Sequence, residues 1–438
     1  MSEYADIKIK SLSLYSFRNY LDSSIVGLFF SKDDLIIDPN CKEDPEDEDS
    51  TVYTKYLYKT TVKRAIDRLD AQGFTLKSFE KQFCEKASEI IDYEPRLRSL
   101  HIDTEDYEKK TKERIERYVS FQKWKNSIGK VINYETQNGN ILWSGTAEEI
   151  GITTECDKIL FYALKDFDQE SFYAIKIDRI SIAYVFRLIL DNCNPNDDVV
   201  LDFSFLAYWD DDCIPLALMA TEAVEKTIVL VEGTSDKDIL EFSMRYLYPH
   251  LVDLFYFMDF DDEFGGKRDG GTSFVAKNLK TFYFSRIKSR FIAIFDNDAE
   301  GYQCKCSLLN EIPNWPENFR ILLYPETKIS KAYPTLASNG TIITDNINRK
   351  ACSIELYLPD SLIMINNQYY PIEWESRKKI RFNGTEESLY QGVISQKESI
   401  KRSFHKLKNA IEDGEQRFNP KEWERMKTLL DSIVFAYK

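Results

Sequence analysis

In the second half of the chain, segments with the apolar pattern of a buried strand alternate with segments whose apolar residues have helical spacing. Residues 227–233, TIVLVEG, form an apolar run that ends in a carboxylate and a glycine, which is typical of a strand buried in a parallel sheet. Apolar residues then recur at helical spacing, and Ser235 and Asp238 are spaced like a capping box. The alternation continues through the runs LFYFMD, TSFVAKNLKTFYFSRI, RFIAIFDND and FRILLYP. The pattern predicts an α/β domain whose parallel sheet is flanked by helices.

The first half of the chain has a mixed pattern. IKIKSLSLYSF alternates like a strand, residues 56–87 have apolar positions at helical spacing, and a second helix is predicted to begin at Ser78. Residues 105–125 predict a charged helix, and residues 127–224 contain the short β-prone runs KVINYE, KILFYAL, SFYAIKI and VVLDFSFLAYW. We therefore expect an α+β region over residues 1–224.

The C-terminal part contains two further helix patterns. SQKESIKRSFHKLKNAI has apolar residues at helical spacing, and Asn419 with Pro420 marks the start of the last helix. We expect the α/β core to span residues 225–330. A helical C-terminal extension over residues 331–438 would follow the core, complete its site and end in helices.

Composition and charge narrow the functional classes. The chain has 438 residues, of which 43% are hydrophobic and 14% aromatic, enough for two or three packed domains. Its formal net charge of −15 argues against a protein that coats DNA through an overall basic surface. An acidic balance is compatible with a metal-dependent phosphoryl-transfer site, because such a site consists of carboxylates.

The numbers and positions of the cysteines and histidines exclude further classes of protein. The eight cysteines are scattered, so we expect reduced thiols in a cytoplasmic protein. No stretch approaches the roughly 18 apolar residues of a membrane span, so we expect neither export nor membrane insertion. Three histidines in no common pattern argue against a zinc site, a Ser-His-Asp hydrolase and a histidine-dependent ribonuclease. Catalysis would therefore depend on carboxylates.

Carboxylates follow three of the predicted strands. Glu232 ends the first strand, Asp259 the second, and Asp296 with Asp298 the third. Because ligands bind at the carboxyl ends of strands in open parallel sheets, we expect these side chains to meet at one edge. Asp296 and Asp298 are two residues apart and leave the strand on the same side. Such hard oxygen donors suit Mg²⁺ or Mn²⁺.

The two blocks TIVLVEGTSDKDIL and RFIAIFDNDAEG resemble the signature blocks of the Toprim domain. The resemblance rests on a Glu-Gly after an apolar strand and an Asp-x-Asp followed by Gly301. It implies a Mg²⁺ site built from Glu232, Asp296 and Asp298. EGTSD is also similar to the variant in the overcoming-lysogenisation-defect nucleases, where the later Asp, here Asp236, joins the metal site. Alternatively, Asp236 only interacts favourably with the helix dipole in the first turn.

Two downstream residues enter through the same resemblance. ACSIELYLP places Glu355 inside an apolar run. It resembles Ile-Glu segments of the lysogenisation-defect nucleases in which the Glu is a ligand of a second metal ion. A basic residue in the region 397–408 stabilises developing charge in those nucleases, and Lys397 is the candidate here. The alternative reading of this region is an amphipathic packed helix with a solvated basic face.

Two other segments each have two possible interpretations. DFDDEFGG, with Asp259, Asp261 and Asp262, is either a solvated acidic turn or a source of ligands. The glycine-rich loop over residues 265–271 either presents backbone amides, Lys267 or Arg268 to a phosphate, or is a hairpin. It lacks the P-loop pattern, so we do not expect an ATP site.

The first half also carries a resemblance. YKTTVKRAIDRLDAQGFTLKSFEKQF and the later VVLDFSFLAYWDDD look like the N-terminal domain that accompanies HEPN or Toprim effectors in prokaryotic conflict systems. This resemblance implies a defence setting and no active site of its own. The HEPN ribonuclease motif is not convincingly present, so that activity is not carried over.

Together these features predict a Toprim-family Mg²⁺-dependent endonuclease that acts on DNA or RNA, tRNA included, in anti-phage defence. We expect a protein partner in a defence complex, a homo-oligomer, and no membrane association. A non-catalytic Toprim subunit, with metal holding structure only, is the alternative from another class. A topoisomerase or primase is a further alternative, although the chain lacks an evident clamp of additional domains and the zinc ribbon found beside many primases.

Overall fold

The computed structural model describes residues 4–42, 52–85, 121–138, 181–209, 224–258, 271–382 and 384–438, with the single residues 146, 148, 149 and 151. The chain forms two compact units, one of residues 1–224 with 437–438 and one of residues 225–436. The β-prone runs KILFYAL and SFYAIKI, and the predicted charged helix before residue 121, lie outside the described residues. Within the described ranges, no helix combines the length and hydropathy that a bilayer span requires.

The first unit is built on a five-stranded antiparallel sheet with the order β2-β1-β5-β4-β3. Its strands are β1 (Tyr4–Ile9), β2 (Leu12–Arg18), β3 (Leu35–Lys42), β4 (Val52–Thr61) and β5 (Asp198–Asp202). Its helices are α1 (Ser23–Phe29), α2 (Val62–Ala71), α3 (Phe121–Asn138), α4 (Ile182–Asp191) and α5 (Ser204–Trp209), and residues 76–85 are also helical. Apolar side chains from the sheet and helices share one core.

Three sequence predictions for this unit are wrong. In the run VVLDFSFLAYW, only the first residues belong to strand β5, and Ser204–Trp209 form helix α5. Residues 56–61 belong to strand β4 and not to a helix, because β4 pairs with β3 on one side and β5 on the other. The run KVINYE is part of α3 and not a strand; Ile132 within it is fully buried in the core. In these places tertiary contacts override local preference.

The second unit contains a four-stranded parallel sheet with the order β10-β8-β6-β7. The strands of this unit are β6 (Thr227–Leu230), β7 (Phe255–Met258), β8 (Phe291–Phe295), β9 (Asn297–Asp298), β10 (Phe319–Leu323), β11 (Tyr333–Leu336), β12 (Ile342–Asp345), β13 (Ala351–Cys352), β14 (Met364–Ile365), β15 (Gln368–Tyr369), β16 (Ile372–Phe382) and β17 (Thr385–Ile394). Its helices are α6 (Thr234–Leu247), α7 (Thr272–Phe284), α8 (Ala299–Glu311), α9 (Asp360–Ile363), α10 (Lys397–Glu412) and α11 (Glu424–Val434).

The parallel sheet explains the continuous apolar runs of the sequence. Every residue of β8 is buried, as expected for a strand covered on both faces. The predicted capping box is wrong: α6 begins at Thr234, its N-cap Gly233 makes no side-chain cap, and Ser235 lies inside the helix. The helix follows Glu232 so closely that no capping side chain precedes it.

The C-terminal extension is not only helical, which corrects the prediction for residues 331–438. A second sheet has the order β12-β11-β16-β17, and its long β16–β17 hairpin packs Ile380 and Leu389 against Ala299 and Cys306 of α8. The sequence does not indicate this strand, because six of the eleven residues of β16 are charged and only Ile372 and Ile380 are buried. The helices α10 and α11 then follow as predicted, apart from the 3₁₀ turn at Pro420.

Candidate functional site

Two predicted acidic residues meet at adjacent strand ends. Glu232 follows β6 and Asp296 follows β8, and these strands are parallel neighbours. The backbone N–H of Asp296 donates a hydrogen bond to Glu232 Oε1 at 3.0 Å. The two signature blocks of the sequence are therefore in direct contact, as the topology of an open parallel sheet requires.

Asp298 is anchored through both of its carboxylate oxygens. Its Oδ1 accepts from the backbone N–H of Gly301 at 2.7 Å, which makes Asp298 the N-cap of α8. Its Oδ2 accepts from Nε2 of Gln391 at 2.7 Å. Asp298 thus caps α8 and also interacts electrostatically with Glu232.

Gly301 is required by close packing. A Cβ atom at this position would lie 2.2 Å from the backbone oxygen of Asp296 and 3.1 Å from Cβ of Phe295. The first turn of α8 therefore lies directly against the end of β8. This contact gives the glycine of the Asp-x-Asp block a steric role.

Asn297, between the two aspartates, is buried and holds the loop from the other side. Its Oδ1 accepts from the backbone N–H of Arg349 at 2.9 Å, and its Nδ2 donates to Asn348 Oδ1 at 3.4 Å. Strand β9 also pairs with β13 in antiparallel register. Along residues 296–298, the side chain of Asn297 therefore has a structural role, whereas its two acidic neighbours belong to the site.

Glu355 is fully buried in a 3₁₀ turn and faces two lysines. Its Oε2 accepts from the hydroxyl of Ser353 at 2.6 Å. Its Oε1 lies 3.6 Å from Nζ of Lys397 and 3.9 Å from Nζ of Lys401. Both lysines lie on the first turns of α10, so this helix supplies the nearest positive charge.

The carboxylates of the site influence each other strongly. Burial, followed by the charge of Asp298, raises the pKa of Glu232 to about 8. Burial and the charge of Glu355 raise the pKa of Asp236 to about 6. Burial and the charge of Glu232 raise the pKa of Asp296 well above its ordinary value, and burial also raises that of Asp298.

Lys397 belongs to the same electrostatic cluster. Burial lowers its pKa, but the charges of Glu355, Asp296 and Asp236 outweigh burial and raise that pKa above its ordinary value. The ammonium group therefore stays protonated at neutral pH. We call Glu232, Asp236, Asp296, Asp298, Glu355 and Lys397 the acidic cluster.

The donor chemistry of the acidic cluster fits a hard divalent cation. Asp296 Oδ1 and Glu355 Oε1 are buried oxygens without a hydrogen-bond partner, and such atoms are costly unless a cation or a donor compensates them. Among the described residues, however, no group of three or more His, Cys, Asp or Glu side chains is arranged to hold a metal ion.

Some predicted and some unpredicted residues remain to be placed. Asp259, Asp261 and Asp262, and the loop over residues 265–270 with Lys267 and Arg268, lie outside the described residues. Sequence reasoning missed Gln391 as a neighbour of the site, and a separation of 93 residues from Asp298 left no local signal. It gave Lys401 no separate role, although its spacing from Lys397 places both on one helical face.

The basic face of α10 is only partly available to a ligand. Lys397 and Lys401 turn towards Glu355, and Lys408 pairs with Asp238. The amphipathic alternative from the sequence is visible in the same helix, since Ile400, Phe404 and Ile411 are buried. The helix therefore has both a packing face and a face towards the acidic cluster.

Comparison with known families gives one match. Residues 1–209 match the family described as HEPN/Toprim N-terminal domain 1. This match supports a HEPN/Toprim-associated protein, and it ends before the first residue of the acidic cluster. No curated protein and no solved structure matches the chain.

Proposed function

We propose that this chain is a metal-dependent nuclease that cleaves phosphodiester bonds of DNA or RNA. The contact between the Asp296 N–H and Glu232 carries the proposal, because it joins the two acidic blocks at one sheet edge. The raised pKa values of four partly buried carboxylates support it, since perturbed carboxylates of this kind concentrate at functional sites.

The residues of the acidic cluster would divide the work. Glu232 and Asp296 would hold the catalytic Mg²⁺ or Mn²⁺, with Asp298 and Asp236 beside them and Glu355 as the donor of a second site. A bound divalent ion supplies Lewis acidity, activation of water and neutralisation of phosphate charge. The chain's own contribution is to bring Glu232 and Asp296 together at the ends of neighbouring parallel strands.

Lys397 would neutralise charge on the substrate phosphate. Lys397 is the first residue of α10, and the pKa of its ammonium group is raised. Its side chain is 33% exposed. A protonated, partly accessible lysine beside carboxylates suits contact with a phosphate oxygen. In the same position it also compensates the buried charge of Glu355.

We further propose that the protein is a cytoplasmic effector of prokaryotic anti-phage defence. The description of the matched family, HEPN/Toprim N-terminal domain 1, supports a nuclease-like or defence function. Residues 1–224 would gate the substrate, bind a partner or form a homo-oligomer. Residues 225–330 would form the Toprim core, and residues 331–438 would complete its site.

A non-catalytic subunit is the second candidate. Lys397 and Lys401 both neutralise Glu355 in the chain alone, and the described carboxylates do not form a closed ligand set. A cluster balanced by lysines can hold a fold together without cleaving anything. In that case the same unit would serve as a partner-binding or regulatory surface of a defence complex.

The decisive experiment uses the purified full-length chain. Plasmid, single-stranded DNA, total RNA and tRNA are incubated with Mg²⁺, Mn²⁺ or a chelator, and products are resolved on gels. We expect metal-dependent cleavage that Glu232→Gln and Asp296→Asn abolish. Glu415→Gln, which changes an exposed acidic residue, serves as the matched control. Cleavage that persists in both site variants would remove the acidic cluster as the active site, whereas metal binding without cleavage favours the regulatory subunit.

A further inference from the structure

Gln391 makes a two-sided contact at the edge of the acidic cluster. Its side chain extends from β17 towards the start of α8. Its Nε2 donates to Asp298 Oδ2 at 2.7 Å, and its Oε1 accepts from the backbone N–H of Glu300 at 3.0 Å. One amide thus bridges a carboxylate and the first turn of a helix.

These two partners determine the orientation of the amide. A rotated amide would place Oε1 against the carboxylate of Asp298 and Nε2 against the N–H of Glu300, so both hydrogen bonds would become repulsive contacts. The other oxygen of Asp298 already accepts from Gly301. The plane of the Asp298 carboxylate is therefore held from two directions.

The strand that carries Gln391 is itself closely packed. The backbone N–H of Gly392 donates to the carbonyl of Lys350 at 3.0 Å, immediately before β13. A Cβ atom at Gly392 would lie 2.6 Å from Cγ2 of Ile372 and 2.9 Å from Cε3 of Trp374. Since β13 pairs with β9, the same part of the fold supports both Gln391 and Asp298.

We propose that Gln391 is a positioning residue that orients the Asp298 carboxylate for divalent-cation binding by the acidic cluster. The inference rests on the proposed metal-dependent function. The amide donates one hydrogen bond to Oδ2, and a carboxylate oxygen that accepts one hydrogen bond retains a lone pair that can bind a cation. Residues that hydrogen-bond to metal-binding side chains commonly change metal affinity by about 10- to 100-fold.

A simpler role for Gln391 is helix capping alone. Its contact with Glu300 satisfies an N–H group in the first turn of α8, which would otherwise lack an intrahelical partner. A cap stabilises the fold but has no specific effect on a cation. The two roles therefore differ in what a substitution changes.

The test measures Mn²⁺ binding to the full-length chain by isothermal titration calorimetry. We expect Gln391→Leu to weaken Mn²⁺ binding by about 10- to 100-fold. Gln391→Asn, which keeps an amide but shortens its reach, should weaken binding as well, and it replaces the leucine variant if that one does not fold. Gln368→Leu, at an exposed position of β15, is the matched control.

A double-mutant cycle separates positioning from capping. If Gln391 acts through Asp298, Gln391→Leu should have no further effect on Mn²⁺ affinity in an Asp298→Asn background. Equal affinity of the wild type and both Gln391 variants, or fully additive effects in the double variant, overturns the inference alone. Absence of Mn²⁺ binding by the wild-type chain overturns the proposed function and the inference together.

Discussion

The backbone N–H of Asp296 donates to the carboxylate of Glu232 at 3.0 Å, across a sequence separation of 64 residues. This hydrogen bond lowers the pKa of Glu232, but burial and the charge of Asp298 raise it by more. The contact therefore holds Glu232 at the strand end without relieving its electrostatic strain. A cation placed among these carboxylates would relieve it.

Glu232→Gln should abolish cleavage while the fold is preserved. Glutamine keeps an oxygen that accepts from Asp296 but removes the charge needed for a metal ligand. We expect a loss of cleavage greater than the about 10- to 100-fold effect of residues that only support a ligand. Initial rates on the best substrate measure the loss, and an unchanged thermal unfolding curve shows that the fold is intact. A cleavage rate equal to that of the wild type would contradict a role for Glu232.

Without bound metal, the contribution of Glu232 and Asp236 to the stability of the chain should fall as pH rises. Glu232 and Asp236 have folded-state pKa values of about 8 and about 6, above their ordinary values of 4.5 and 3.8. A carboxyl whose pKa is raised by folding contributes stability that is present below its unfolded pKa and lost as pH rises through its folded value. This loss therefore extends from the ordinary carboxyl range to about pH 8.

Divalent cations should reverse this loss most strongly at high pH. Bound Mn²⁺ requires ionised carboxylates, so protons compete with the metal at low pH. Thermal unfolding with chelator and with Mn²⁺, on both sides of that pH range, measures the effect. We expect a larger Mn²⁺-induced increase in Tm at high pH, and a much smaller pH dependence of that increase in Asp296→Asn. An increase in Tm that is independent of pH would argue against binding at the acidic cluster.

Lys397 and Lys401 should differ in function but share a structural role. Lys397→Met should lower cleavage while Mn²⁺ binding persists, and Lys401→Met should affect cleavage less. Changing both leaves the fully buried Glu355 without a compensating charge. The double variant should lose less than the about 3–5 kcal/mol typical of a fully buried pair, because the lysine side chains are 33% and 24% exposed.

Glu355→Gln provides the control for the lysine variants. It removes the buried charge, so it should recover stability in the double-lysine background. Urea unfolding measures all of these free energies of unfolding. A double-lysine variant as stable as the wild type would show that Glu355 does not depend on the lysines.

Gly301→Ala should destabilise the second unit. The added Cβ would lie 2.2 Å from the backbone oxygen of Asp296, and the start of α8 would have to shift. We expect the free energy of unfolding to fall by about 1–3 kcal/mol. Gly233→Ala is the matched control, because its Cβ would meet only Asp236 Oδ2 at 3.9 Å and its φ of −158° suits any residue. Equal unfolding free energies for the two variants would show that the close contact has no energetic consequence.

Local sequence signals predicted part of the candidate site. Glu232, Asp296 and Asp298 follow apolar runs that the structure contains as buried strands, and parallel topology brings their ends together. The buried position of Glu355 was also visible as a carboxylate within an apolar run. The role of Gln391 was not predictable, because the polar sequence of its strand does not indicate which distant carboxylate the side chain contacts.

The sequence by itself determined the parallel sheet and the placement of acidic residues at its strand ends, because hydrophobic periodicity is a local property of the chain. Only the tertiary structure decided that residues 56–61 form a strand, that β16 and β17 form a hairpin against α8, and that Lys401 faces Glu355. These features depend on hydrogen bonds and ion pairs between residues far apart in the chain. Their partners are selected by packing in three dimensions, which no local pattern encodes.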